Sequence, residues 1–294
     1  MTTDSDFSER VEIFFGEASD AQCRVYARLR GPEARAGLRL AGSMTGPNCL
    51  YAETLPATFD FADRGPGDSL VAAALVPEPC FWTPEMPHQY RVDLRLERNG
   101  DVLARACRPL GIRTLGAAGH SLLFDGERWV LRGVRARGTK LDELATWHES
   151  DTVLLVDNPD DALCREASRV GVLIVAVLDS PDFATVERLS RWPAVGIVAL
   201  AGGAPVDLNG LAHNMLLAQC FAAGKPVVPE PWAHIGLREI DRADQIGAGV
   251  GDWRVPVLAM RASGHVGGPA EGRALCDRLQ RDLAPHAQFA GYIV

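Results

Sequence analysis

Lysine is nearly missing from this 294-residue chain: it occurs only at Lys140 and Lys225, and arginine supplies the rest of the 30 basic groups. Those arginines are scattered, and 38 acidic residues leave a net charge of −8. A nucleic-acid partner is therefore not expected, because it would need a gathered basic patch. Long apolar runs are missing too. The best, Val170–Leu178, has strand length and falls far short of the roughly 18 residues that cross a bilayer, so no membrane partner is expected. The start, Met1–Arg10, is polar and acidic with no apolar run behind a positive region, which predicts no targeting segment and a cytoplasmic location. Cysteine pairs are absent as well: seven cysteines, at positions 23, 49, 80, 107, 164, 220 and 276, are odd in number and never spaced C-x-x-C. That favours free thiols in a reducing compartment over disulfides or a zinc site. No His pair has H-E-x-x-H spacing, and Gly42–Gly46 carries its serine one place too early for a nucleophile elbow. No metal and no cofactor is expected.

What is present is ordinary globular composition, 47% hydrophobic and 23% charged, at a length that allows two domains. Residues 1–116 read as all-β. Val11–Phe15, Arg24–Leu29 and Gly37–Leu40 are short runs with period-2 features. Tyr90–Leu96 alternates strictly, and Asn99-Gly100 supplies a hairpin turn before Val102–Ala104. About seven short strands punctuated by glycine and proline predict an immunoglobulin-like β-sandwich. Gly116–Gly119 reads as the seam.

Residues 117–294 change to alternating strands and helices. The strands are Trp129–Val134, Thr152–Val156, Val172–Leu178, Val195–Leu200, Pro226–Pro229, Ile246–Val250, Pro256–Met260 and Phe289–Val294. The helices are Lys140–Glu149, Asp160–Val170, Asp182–Arg191, Asn209–Ala222 and Ala270–Leu283. Near-continuous apolar strands between helices mean a covered parallel sheet. An open doubly wound sheet and a compact (β/α)8 TIM-type barrel both fit. The barrel would be lean, since about 250 residues is usual, and no helix follows its eighth strand. The flank that helix would cover predicts burial by the sandwich or by a second copy, the latter making a homo-oligomer.

Three segments carry a resemblance. Pro79–Tyr90 resembles the run P-x-L-W-S-P-E-x-P-x-L-Y of glycoside hydrolase family 2, the β-galactosidase and β-glucuronidase family. Gly111–Thr114 is similar to the G-F/I-R strand that closes that family's immunoglobulin-like domain. Leu123–Val134 is similar to F-x-L-N-G-K-P-V-x-L-R-G-V, its first barrel strand. The order of the three matches throughout, and Val153–Val177 adds a weaker match to the second and third strands. The resemblance implies the barrel in place of the open sheet, and it implies glycosidase ancestry. Residue by residue, Trp82 beside Pro84 and Pro87 reads as packing at a domain corner, and Gly133 as a place for close packing.

The resemblance also implies where catalytic glutamates should stand, and those positions depart from the family. At the end of the fourth strand Asn-Glu becomes Gly202-Gly203, which puts Gly203 where the general acid/base belongs. At the end of the seventh, Met260 or Arg261 replaces the nucleophile. The family's pocket-lining Arg and His of the second strand fall at Leu154 and Asp157. Retaining glycosidases need two carboxyl groups about 5–5.5 Å apart. Glycine offers no proton, and arginine would place positive charge beside a developing oxocarbenium ion. The expected function is a catalytically degenerate relative that binds a carbohydrate or other small molecule at the barrel mouth, or serves in an assembly.

Strand C-terminal ends form the mouth of such barrels. They offer Arg135, Arg137, Asp157, Asn158, Trp232, His234, Arg261 and His265 as ligand-binding candidates. The plain alternative is that strand ends lead into loops, which are polar anyway. Glu230 after Pro226–Pro229, with Asp179 as partner, are the candidates for relocated catalytic carboxylates, though the two read more readily as partners of Arg135, Arg137 or Arg261 in a structural ion-pair network. An active glycosidase using Glu230 and Asp179, and a purely structural homo-oligomer, stand as alternatives. His213, Cys220 and Cys276 read as helix-face residues without chemistry.

Overall fold

A computed structural model describes residues 3–31, 37–65, 67–136, 138–180, 182–201, 214–240, 242, 246, 253–261 and 266–294. They form two compact units, Met1–Arg113 with Ala212–Asn214, and Thr114–Leu211 with Met215–Val294.

The first unit is an antiparallel sandwich of β1 (Val11–Ala18), β2 (Gln22–Arg30), β3 (Leu38–Asn48), β4 (Ala57–Asp63), β5 (Ser69–Pro77), β6 (Gln89–Arg98) and β7 (Asp101–Leu110). The order β1-β2-β5-β4-β3-β6-β7 is that of an immunoglobulin-like domain, with β4 bonded to both β3 and β5 and so joining the two sheets. Asn99 and Gly100 both adopt positive φ, 53° and 92°, as the tight turn between β6 and β7 requires. Alternation along β6 (Tyr90, Val92, Leu94 and Leu96 buried) builds the core with Val25, Leu29, Leu40 and Met44. A short helix not anticipated from sequence, α1 (Asp4–Arg10), is capped by Thr3 and sends Phe7 into that core. Its Asp4 accepts the Arg105 N–H of β7 at 2.8 Å, which covers part of an edge strand.

The segment that resembles the family packs as expected. Trp82 is fully buried, and its N–H donates to Ile112 O at 2.7 Å. The Arg113 guanidinium lies 5.9 Å from the Trp82 ring, so the tryptophan run and the G-I-R run form one buried knot.

The second unit opens with a small meander, β8 (Gly116–Ala118), β9 (Ser121–Phe124) and β10 (Glu127–Trp129). Trp129 therefore belongs to this hairpin and not to the first barrel strand. The barrel follows, closed and all-parallel: β11 (Leu131–Arg135), β12 (Val153–Asp157), β13 (Ile174–Leu178), β14 (Val195–Leu200), β15 (Leu216–Phe221), β16 (Ile235–Glu239), β17 (Val257–Met260) and β18 (Gly291–Ile293). Around it lie α2 (Leu144–Glu149), α3 (Asp161–Val170), α4 (Phe183–Ser190) and α5 (Pro269–Leu283). Asp160 and Asp182 cap α3 and α4 by accepting N–H bonds at 2.8 and 2.6 Å, and Gly171 ends α3 in the left-handed region. Gly133 permits the close packing its position suggested: a Cβ there would stand 3.1 Å from Ile293 Cγ1. No helix among the described residues is long and apolar enough to cross a membrane.

Two expectations are corrected. Leu216–Phe221 is a strand, not the end of a helix, so Cys220 lies on β15. The good helix formers Leu, Ala and Gln are overruled by the barrel position they fill. Pro226–Pro229 forms no strand, because two prolines lack N–H donors and cannot sit centrally in a sheet. The sixth strand is β16, downstream of it. Gly236 of β16 faces Val227 of the connecting segment, where a Cβ would stand 3.4 Å from Val227 Cγ1. The segment 222–234 thus lies along the outer face in place of a helix. The strand expected at Ile246–Val250 lies, beyond Ile246, outside the described residues.

Candidate site at the barrel mouth

The barrel's register decides which side chains face inward. A Cβ on Gly272 of α5 would meet Val134 Cγ2 at 2.1 Å, so Val134 points outward to the helix and its neighbours Gly133 and Arg135 point inward. Arg135 pairs in register with Leu155, which sets Leu155 and Asp157 on the inner face. Arg135 Nη2 donates to Asp157 Oδ1 at 2.7 Å, with the two side chains 33% and 39% exposed. Its Nε is buried with no hydrogen-bond partner among the described residues.

On the other side of the barrel, Gly236 faces outward to Val227, so Leu237 and Glu239 face inward. Cys220 pairs with Leu237 and shares that face. The Cys220 thiol is pushed up to about 12, by burial first and then by the negative charges of Glu239 and Asp179, while Arg135 pulls it down. Glu239 and Asp179 make no hydrogen bond or ion pair to another described residue. Among the described residues no group of three or more His, Cys, Asp and Glu side chains is arranged to hold a metal ion.

The seventh strand, β17, ends where the sequence pattern put it. Met260 pairs with Glu239 and shares its inner face. Arg261 turns the other way, and its Nη2 lies 4.0 Å from Asp282 Oδ2 of α5. Of Met260 and Arg261, the one facing inward is the methionine.

Of the expected ligand-binding residues, Arg135 and Asp157 come together. Asn158 follows them, exposed, in a left-handed conformation (φ 46°), and donates its N–H to Val177 O. Asp179 is exposed at the end of β13. Trp232, His234 and Glu230 are not at a strand end, because Pro226–Pro229 is not a strand. Glu230 is exposed and its N–H donates to the Gln219 side chain at 2.8 Å. Trp232 is half-buried in the same connection. His234 directly precedes β16, at the end opposite the mouth, where its Nδ1 accepts the Leu217 N–H at 3.0 Å. Arg137, Gly202, Gly203, His213 and His265 lie outside the described residues.

Glu239 and Cys220 were missed. The signal was there: Ile235, Leu237 and Glu239 alternate with Gly236 and Arg238, and the prolines of 226–229 should have pushed the strand downstream.

No protein-family profile and no curated protein sequence matches this chain. Solved structures do. A glycosyl hydrolase family 2 member from Bacteroides cellulosilyticus superposes with a TM-score of 0.67 at 12% identity, over 97% of this chain and 45% of that one. The fold is shared with glycoside hydrolases of family 2. An FMN-binding β-glucuronidase from Facaelibacterium prausnitzii gives 0.63 at 12% identity, over 97% of this chain and 55% of that one. A β-glucuronidase from Bifidobacterium dentium gives 0.61 at 14% identity, over 96% and 59%. This chain spans about half the length of these family 2 structures. At such identities the likeness concerns the fold, in which the sandwich and the barrel follow one another in the order the tryptophan, G-I-R and first-strand segments indicated.

Proposed function

We propose that this protein is a non-hydrolysing relative of family 2 glycosidases that binds a polyhydroxylated ligand, a carbohydrate or a molecule like one, at the barrel mouth. The observation that carries this reading is the end of β17. Met260 faces the interior and Arg261 is drawn outward toward Asp282. A thioether is no nucleophile for an anomeric carbon, and double displacement needs an opposed carboxyl pair that neither Met260 nor Arg261 can complete. The fourth-strand position supports it from sequence, since Gly203 has no proton to give.

Binding rests on different groups. Asp179 and Glu239 are acceptors without described partners, and the Arg135–Asp157 pair offers a donor and an acceptor at fixed separation. Alternating donors and acceptors of this kind suit hydroxyl groups. The test is ligand-observed NMR of the whole chain against a set of neutral monosaccharides and disaccharides. Binding that is lost in Asp157→Ala and Glu239→Ala supports the reading. Absence of binding across the set, or binding unchanged in both variants, overturns it.

A second reading has one observation in its favour. Asp179 and Glu239 both raise the Cys220 thiol, and neither carboxylate has a hydrogen-bond or ion-pair partner among the described residues. Glycoside hydrolysis by this relocated pair would use Glu239 in place of Glu230, which is off the strand end. Steady turnover of an aryl glycoside, abolished by either Asp179→Asn or Glu239→Gln, would establish it.

A further inference from the structure

We propose that a cleft at the other end of the barrel from the mouth binds a small phosphorylated molecule. The cleft encloses about 310 Å3, and its lining includes Arg128, Trp129, Arg132, Asp151 and Arg273. Val130 and Val153, which complete it, directly precede β11 and open β12, so the cleft lies at the N-terminal ends of these strands and is independent of the mouth.

Its charge is the first argument. Arg128, Arg132 and Arg273 stand with two carboxylates, Asp151 in the lining and Asp277 behind Arg132, which leaves one positive charge in excess, in a chain whose net charge is −8. That excess charge favours an anion in the cleft. The second argument is how the arginines are held. Arg132 is fixed from behind: Nε donates to Asp277 Oδ1 at 2.5 Å, Nη2 to Gln280 Oε1 at 3.0 Å and Nη1 to Val130 O at 3.2 Å. Arg273 spends Nη1 on Asp151 Oδ2 at 2.8 Å and on the Ser150 and Asp151 carbonyls, which leaves Nε and Nη2 without a described partner. Arg128 gives Nη1 and Nη2 to the side-chain oxygen of Gln288, at 3.0 and 2.5 Å in the orientation that satisfies that amide, and keeps Nε. Guanidinium groups anchored this way lose little further freedom on meeting an anion, and their planar donor sets match phosphate oxygens.

The third argument is Trp129. Its ring is braced by Phe124, with centroids 5.5 Å apart and planes at 62°, so it forms a fixed apolar wall of the cleft. A bare ion would leave that wall unused. A phosphomonoester on a small ring would fill the volume, place its anion among the arginines and its ring against the tryptophan. Asp151 remains available to accept from a ring hydroxyl.

The test is isothermal titration of the whole chain at constant ionic strength with glucose 6-phosphate, inorganic phosphate and glucose as separate ligands. Glucose 6-phosphate should bind, and more tightly than inorganic phosphate. Arg128→Gln should weaken it about tenfold, the loss expected for one hydrogen bond to a charged group. Trp129→Leu should weaken glucose 6-phosphate and leave inorganic phosphate unchanged. Arg273→Gln also unties α5 from the turn before β12; if that variant fails to fold, Arg128→Gln on the exposed hairpin carries the test. No binding of either phosphate ligand, or binding untouched by Arg128→Gln, overturns the assignment.

Discussion

Replacing Gly272 by alanine tests the docking of α5 on the barrel, and with it the inward orientation of Arg135. An ideal Cβ at Gly272 stands 2.1 Å from Val134 Cγ2 and 3.2 Å from its Cβ and Cγ1. Carbon atoms pack best at about 3.5–4.0 Å, so helix and strand would have to part by roughly 1.5 Å. Val134 is 2% exposed and β-branched, in a strand bonded on both sides, so it cannot turn aside. Overpacking of this kind costs typically about 1–3 kcal/mol. Exchange of glycine for alanine inside a helix returns up to about 1 kcal/mol. The expected net loss is about 1–2 kcal/mol. Val134→Ala alone should cost about 2 kcal/mol, from two methyl groups and the space they leave. The double variant should then be more stable than the sum of the two by at least about 1 kcal/mol, because the clash and the cavity cancel. Urea unfolding followed by far-ultraviolet circular dichroism reads all four proteins. If Gly272→Ala is as stable as the parent, or if the two losses simply add, α5 does not pack on Val134 as described and the inner face of β11 must be reassigned.

Three further outcomes follow from the same coordinates. Burial pushes the thiols of Cys164 and Cys220 up to about 12 and those of Cys23 and Cys276 to about 11, so these four should resist iodoacetamide at neutral pH. Mass spectrometry of the native protein reads this, and rapid labelling of Cys220 would contradict the raised thiol at its half-buried place at the mouth. His88 is lowered from its ordinary 6.5 by burial, so the native state resists protonation there while the unfolded chain accepts it. Stability from this residue is intact above 6.5 and is lost as pH falls below it, down to the depressed folded value; the unfolding midpoint should drop over that interval and drop less in His88→Gln. An identical slope in the variant would refute it. Asp160→Ala removes the acceptor that caps α3 at 2.8 Å and should cost about 1 kcal/mol in the same urea assay, whereas no loss would mean the cap contributes nothing.

Much of the architecture was legible because the chain states it several times. The strands at Val153, Ile174 and Val195 are continuous apolar runs, and the helices between them begin at Asp160 and Asp182, whose side chains do cap them. Strict alternation made β6 plain. The last half of the barrel was harder. Leu216–Phe221 has helical composition, and only the closed sheet forces it to be extended. Ile235–Glu239 is short and contains a glycine and two charges, so it carries little hydrophobic signal, yet its neighbours on both sides hold it in register. That single displaced strand moved the expected site. Glu230, Trp232 and His234 looked like strand-end residues only while Pro226–Pro229 was taken for the strand. Glu239, which does end one, was overlooked. The Arg135–Asp157 pair needed no such help, since its two strands were read to within two residues of their ends.

The measurement that bears most directly on the account is turnover of a panel of nitrophenyl glycosides, glucuronide included, by the purified chain alongside its Asp179→Asn and Glu239→Gln variants. The account predicts release of nitrophenol no faster than in buffer for all three proteins. Sustained release by the parent chain, abolished by either substitution, would contradict it.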